Sequence, residues 1–267
     1  MADDPILCER DGAVATVTFN RAEKLNAFTH AMYHALQAQL EALESERVIR
    51  VVVITGRGRG FCAGEDLAEL ERLSEQGLDR TDLSAALDRL QHITRVIATS
   101  SKVYIAAVNG VAAGFGAELA VACDIRYAST SARMLFPEVR RGLFVTNGVT
   151  HLLPRIVGLG RALELLLTGT PIDAETAERL GIFNRLLADA DLLGAAHTLA
   201  AAIAANEAMA VRLTKRALRE GTHGNLEEAL QRETAFALAC ADAGAHLEGA
   251  RAFLEKRLPS FAPEPKG

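Results

Sequence analysis

Two runs of this chain leave little freedom in how it folds. "IRVVVITGRG" at residues 49–58 holds a β-branched run, "VYIAAVNG" at 103–110 an apolar one, both read as buried strands, and each ends in glycine. A strand apolar on both faces must lie inside a sheet that is covered on both sides, the condition met by parallel strands in α/β proteins. Each run is followed by a glycine-rich segment that leads into a helical pattern: "GFCAGEDL" at 60–67 and "GVAAGFGAEL" at 110–119. The rest of the pattern agrees. "ILCERDGAVATVTFNR" reads as a hairpin turning at Asp11-Gly12. Met32, Leu36, Leu40 and Leu43 share one face of a helix. "GAELAVAC" at 116–123 reads as a short apolar helix and "DIRYAST" after it as a strand. Residues 68–98 are polar with helical stretches. Strand, strand and helix recur without a strict period, which implies an α/β core.

From Asp191 onward the pattern is helical and Ala-rich, broken at Gly221 and Gly224, with Leu213, Leu226, Leu230, Phe236 and Leu238 as apolar anchors. Such a tail packs on its own domain or on a neighbouring subunit. The ending "FAPEPKG" reads as frayed.

At 267 residues with 49% hydrophobic side chains, the chain can bury one large core. Net charge is −5 and the cations are scattered, so nucleic acid is not an expected partner. Cys8, Cys62, Cys123 and Cys240 lie far apart with no accompanying histidine cluster. They read as small buried residues of a reducing compartment, and no metal site is expected. "MADDPILCER" has no basic or apolar leader, and no apolar run approaches a membrane span. A soluble, cytoplasmic protein is expected.

The glycine turns do not match the phosphate motifs. Residues 110–116 read G-x-x-x-G-x-G, which fits neither the dinucleotide fingerprint nor the phosphate loop, and no lysine follows. Taken singly, each is a tight strand-to-helix turn. Together, two such turns can aim backbone N–H groups at one oxygen, an oxyanion hole made of main chain. Glu118 stands one turn inside an apolar helix, where burial would raise its pKa toward neutrality. Glu138, in "LFPEVRRG", reads by itself as a solvated loop acid paired with Arg140 or Arg141. Asp66 reads as a turn-stabilising residue.

These segments together resemble the enoyl-CoA hydratase/isomerase (crotonase) family over nearly the whole chain. "NRAEKLNAF" is similar to the family's N-R-P-x-x-x-N-A segment, with Ala22 in place of proline. "GFCAGEDL" resembles F-x-A-G-x-D-[LI], and "NGVAAGFGAELAVACDIRYAS" resembles N-G-x-A-x-G-G-G-x-E-L-x-x-x-C-D-x-x-x-A. "FPEVRRGL" resembles P-E-x-x-x-G, and "ARAFLEKRLPSF" resembles the closing helix.

The resemblance implies a crotonase-like α/β spiral of β-β-α units over residues 1–190. A helical C-terminal region at 191–267 would then mediate homotrimers or dimers of trimers. It implies an acyl-CoA thioester as substrate, with coenzyme A part of that substrate and no separate cofactor. The oxyanion donors map onto the amides of Glu65 and Phe115, and the catalytic pair onto Glu118 and Glu138. Hydration of a 2-enoyl-CoA needs such a pair: Glu118 is assigned to the water and Glu138 to C2. Lys24 and Leu25 fall where family members meet the nucleotide, and the carbonyls around Cys62 and Ala63 fall near the adenine. Phe253 and Lys256 fall where a neighbouring subunit covers adenine and phosphates, although Lys256 reads equally as an exposed helix lysine. Where the family runs G-x-x-P-x-x-G-G, this chain has "GLFVTNGVT", with Val145, Thr146, Asn147 and Val149 replacing a proline and small residues. Asn147 reads as a residue that stabilises this loop or, as the lesser alternative, hydrogen-bonds a polar acyl group. Double-bond isomerisation needs only one carboxylate, so retention of Glu118 favours hydration. Acyl-CoA hydrolysis is a further reaction of the scaffold, and an acyl-CoA binder without turnover is disfavoured by the intact pair.

Overall fold

The computed structural model describes residues 4–75, 77, 79–222 and 224–261. The call-sign of the fold is a pair of sheets that grow together. Strands β1 (Ile6–Asp11), β2 (Val14–Phe19), β3 (Val51–Gly56), β4 (Gly60–Cys62) and β5 (Val103–Val108) are followed by β6 (Val111–Ala113), β7 (Ile125–Ser129), β8 (Arg133–Leu135), β9 (Ile172–Asp173) and β10 (Arg185–Leu187). One sheet has the order β1-β2-β3-β5-β7-β10 and the other β4-β6-β8-β9. Each of the pairs β3/β4, β5/β6 and β7/β8 adds one strand to each sheet, so the chain spirals between them. Pairing is parallel except between β1 and β2 and between β8 and β9.

The two apolar runs are β3 and β5, buried at every position. The hairpin forms as expected, with Asp11 opposite Val14 and Gly12 at φ +56°. Helix α1 (His30–Ser45) is capped by Thr29, whose hydroxyl accepts from the Met32 amide, and it buries Met32, Leu36, Leu40 and Leu43. Helices α2 (Leu67–Glu75) and α3 (Arg80–Thr99) occupy the polar stretch after β4. Helix α4 (Phe115–Ala122) is buried on all sides, as a helix without a polar stripe must be. Helices α5 (Val149–Val157), α6 (Leu159–Thr168) and α7 (Ala174–Arg179) complete the middle of the chain.

The C-terminal region is helical as expected: α8 (Leu192–Ala204), α9 (Ala208–Gly221), α10 (Leu226–Asp242) and α11 (Ala245–Leu254). Leu192, Ala196 and Ala200 of α8 pack on Val51, Val53, Val103, Ile105 and Ala107, covering one face of the larger sheet. Of the two alternatives for this tail, α10 does not follow packing on its own domain. It buries no residue, and Leu226, Leu230 and Leu238 are exposed rather than anchored within the chain. The 3.6-residue period marks an apolar face but not which surface covers it.

Arg219 and Lys215 of α9 reach back to the half-buried Asp124 at 2.6 and 2.8 Å. All four cysteines are free. Cys62 and Cys123 are buried, but Cys8 and Cys240 are only half-buried, short of the expected burial of all four. Of the frayed ending, residues 262–267 lie outside the described residues. Among the described residues no helix is long and apolar enough to cross a membrane.

Candidate active site

The site begins at the ends of two neighbouring strands. β4 and β6 run parallel with Cys62 opposite Ala112, and Glu65 and Phe115 each follow three residues later. The two glycine turns touch. A Cβ on Gly116 would collide with the Cys62 carbonyl and stand 2.7 Å from the Cys62 Cβ. Gly64 has φ +93°, and a Cβ there would come 2.9 Å from the Ala113 carbonyl oxygen. Only glycine meets both the dihedral and the close approach.

The backbone around Glu65 is tied to α1's approach segment. Phe28 donates to the Gly64 carbonyl at 2.7 Å and accepts from the Asp66 amide at 2.8 Å. These parallel-bridge bonds turn the intervening Glu65 amide away from Phe28. Phe115 is the first residue of α4, where amides lack an intrahelical acceptor. Neither the Glu65 nor the Phe115 N–H has an acceptor among the described residues. The Phe115 ring is held 4.8 Å from both Phe28 and Tyr33, so its bulk is absorbed by an aromatic cluster behind the turn. Asp66 is a structural residue, as expected: it pairs with Arg21 at 2.6 Å and accepts from the Ala68 and Glu69 amides.

Glu118 is 1% exposed. Its Oε1 accepts from the Thr146 amide at 3.2 Å, and its Oε2 accepts from the Asn147 amide at 2.9 Å and from Asn147 Nδ2 at 2.6 Å. Burial pushes its pKa up to about 7, against the lowering effect of the Asn147 bonds, and the charge of Glu138 adds to the rise. Glu138 opens a 3-10 turn at Glu138–Arg141 and is half-buried. Its Oε1 lies 3.0 Å from where a Gly114 Cβ would stand, beside the turn that ends at Phe115. Its Oε2 is buried without a partner among the described residues. Burial raises its pKa too, with Arg141 a smaller opposing influence.

Two expectations need correction here. Read from pattern alone, Glu138 was a solvated acid paired with Arg140 or Arg141. The structure instead turns it toward Gly114, with neither arginine in ion-pair contact among the described residues. Asn147 does more than stabilise its loop: it is 1% exposed and grips Glu118. Nothing in the sequence signals that contact, because it joins a helix to an aperiodic loop.

Of the nucleotide-binding candidates, four lie together. The Ala63 amide donates to the Leu25 carbonyl at 3.0 Å, and a Cβ on Gly60 would touch Leu25. Asn26, fully buried at φ +56°, pins this loop by donating to the Gly60 and Arg57 carbonyls. Lys24 is exposed beside it, and the Cys62 carbonyl faces Gly116. Phe253 and Lys256 are elsewhere, at the exposed end of α11, with Phe253 81% exposed. The chain by itself does not bring them to the glutamate pair. A cavity of about 1010 Å³ between α9, α5 and the start of β7, lined by Asp124, Arg126 and Lys215, contains neither Glu118 nor Glu138.

The spiral of paired strands is the crotonase fold. A crystal structure of enoyl-CoA hydratase from Bacillus anthracis superposes with a TM-score of 0.91 at 33% identity, covering 98% of this chain and 100% of that one. The chain belongs to the enoyl-CoA hydratase/isomerase family, whose sequence pattern matches residues 9–264. It is 36% identical to the 1,2-epoxyphenylacetyl-CoA isomerase of Escherichia coli, over 96% of this chain and 97% of that one. It is 35% identical to the crotonyl-CoA hydratase of Syntrophomonas wolfei, over 98% and 99% of the two chains.

Proposed function

We propose that the chain is an enoyl-CoA hydratase, adding water reversibly across the C2=C3 bond of a 2-enoyl-CoA thioester. The observation that carries this is one buried and one half-buried carboxylate of raised pKa, from separate elements, beside touching turns that carry acceptor-less amides. The thioester oxygen lies between the Glu65 and Phe115 N–H groups, which stabilise the enolate as it forms. Glu118 orients and deprotonates the water. Glu138, in its protonated form, delivers a proton to C2 as the enolate collapses. The two titrate as a pair, since each charge opposes the other. No step transfers an electron, so the reaction calls on no cofactor beyond the coenzyme A of the substrate.

The nucleotide end of coenzyme A runs along Lys24, Leu25, Cys62 and Ala63. Phe253 and Lys256 cover it from a neighbouring subunit of a homotrimer, itself alone or paired into a hexamer. Exposed Leu226, Leu230 and Leu238 on α10 and Leu247, Phe253 and Leu254 on α11 support such an assembly. Residues 191–267 form its helical region and 1–190 the catalytic spiral. The four free cysteines suit a cytoplasmic location.

The test is loss of the conjugated-thioester absorbance when crotonyl-CoA is supplied, and its abolition by Glu118→Gln. Unchanged turnover in that variant discards the role given to Glu118. The family, which joins hydratases with isomerases of enoyl-CoA, favours a second reading, movement of a double bond by one carboxylate. A 3-enoyl-CoA converted to its 2-enoyl isomer by Glu118→Gln, with no hydration by either protein, would select that reading.

A further inference from the structure

The loop that departs from the family pattern is the loop that holds Glu118. A carboxylate offers four lone-pair positions, two on each oxygen. On Oε2 both are taken, by the Asn147 amide at 2.9 Å and by Asn147 Nδ2 at 2.6 Å. On Oε1 the Thr146 amide takes one at 3.2 Å. The main-chain donors would exist with any residue at 147, whereas the shortest bond of the three comes from the asparagine side chain. That carboxamide is itself oriented. Its Nδ2 also donates to Thr146 Oγ1 at 3.1 Å, so both its hydrogens are committed. Its Oδ1 is buried without a partner among the described residues, a cost that packing alone would not retain.

We propose that Asn147 is a positioning residue for Glu118: it saturates Oε2 with donors, so that every proton Glu118 takes or gives passes through Oε1. An O–H on Oε2 would meet two N–H groups head-on. The base thus presents one atom in one direction, and the attacking water is held on the lone pair of Oε1 that Thr146 leaves open. Asn147 also favours the ionised form that a base requires, against the burial of the site and the charge of Glu138. The titratable groups that bear on Glu118 are Glu138 from the 3-10 turn and the Tyr33 phenol from α1. This deepens the hydratase reading and rests on it for the role of the water, but the grip on Glu118 is measurable without turnover.

The experiment combines two readouts on the full-length protein. The first is a ¹³C-carboxyl NMR titration without substrate, with the Glu118 signal assigned by its loss in Glu118→Gln. The second is the pH profile of kcat/KM for crotonyl-CoA. Losing a hydrogen bond to a charged group should raise the Glu118 midpoint by about one to two pH units in Asn147→Ala. The acidic limb of the rate profile should move with it. Asn147→Asp keeps the shape, adds a like charge, and should raise the midpoint further. Glu138→Gln, read by NMR alone, should lower it. If Asn147→Ala does not fold, Asn147→Asp decides. An unmoved Glu118 midpoint in the Asn147 variants overturns the proposal, as does a uniform loss of rate with the limb in place. If the wild-type protein does not hydrate crotonyl-CoA, the hydratase reading falls while the NMR midpoint still judges the role of Asn147.

Discussion

Substituting Gly116 by alanine tests whether contact between the two glycine turns sets the rate. The added Cβ would stand 2.7 Å from the Cys62 Cβ and 3.0 Å from the Cys62 carbonyl carbon. Ordinary contact between carbons is about 3.5–4.0 Å, so the turns must separate by about 1 Å. Both neighbouring groups are tied to the frame, Cys62 by β4 and Gly116 by α4, and no flexible side-chain end can yield instead. That displacement carries the Phe115 amide away from the Glu65 amide. Misplacing one oxyanion donor by this much lowers kcat by about 100-fold, or about 2.7 kcal/mol of barrier. Overpacking of this kind also costs about 1–3 kcal/mol of stability. The assay is initial-rate hydration of crotonyl-CoA, with circular dichroism and thermal melting to establish that the variant is folded. Gly160→Ala is the control. Nothing lies within 4 Å of a Cβ there, so its kinetics should match wild type. A folded Gly116→Ala protein with wild-type kcat would refute the claim that the two turns form one oxygen-binding device.

Three further outcomes are expected. Glu118 binds its proton more tightly when folded, so folding takes up protons between the usual carboxylate pKa and about 7. Its contribution to stability therefore falls as pH rises through that window, by roughly 3 kcal/mol at most, and is flat above it. Urea unfolding of wild type and Glu118→Gln from pH 4.5 to 8 should show their difference changing in that direction, and a constant difference rejects the raised pKa. Asp124→Ala strands Lys215 and Arg219 without their shared acid and should cost about 3–5 kcal/mol in the same assay. Leu226→Asp with Leu238→Asp, both at exposed positions, should leave the fold intact and dissociate the proposed trimer in sedimentation velocity. Unchanged sedimentation would remove α10 from the interface.

Much of the frame was legible because burial imposes periodicity. β3 and β5 have no charged residue to place toward water, and Met32, Leu36, Leu40 and Leu43 repeat at helical spacing. The glycine turns were legible for a related reason, since only glycine tolerates the approach of Gly116 to Cys62. What escaped notice was set by contacts between distant segments. Glu138 has two arginines as sequence neighbours, yet the 3-10 turn aims it at Gly114, which a local reading of charge cannot foresee. Asn147 meets Glu118 across 29 positions, from a loop without periodicity. Tyr33 lies on a helix face that reads as plain core, and its place against Phe115 depends on how α1 and α4 meet. The leucines of α10 announce an apolar face correctly, but the sequence does not say that this chain leaves them exposed.

The register of β4 against β6 has a metric consequence. Adjacent strands stand about 4.8 Å apart, so the two turns that leave them set out from points about that far apart. Two nitrogens so spaced, each about 2.9 Å from a shared acceptor, subtend an angle of about 110° at it. That is near the angle at which a carbonyl carrying negative charge offers its electron pairs. The ladder of a small sheet thus serves as a ruler, dimensioned by the peptide unit itself, and its scale is set by main chain and not by the side chains at 65 and 115.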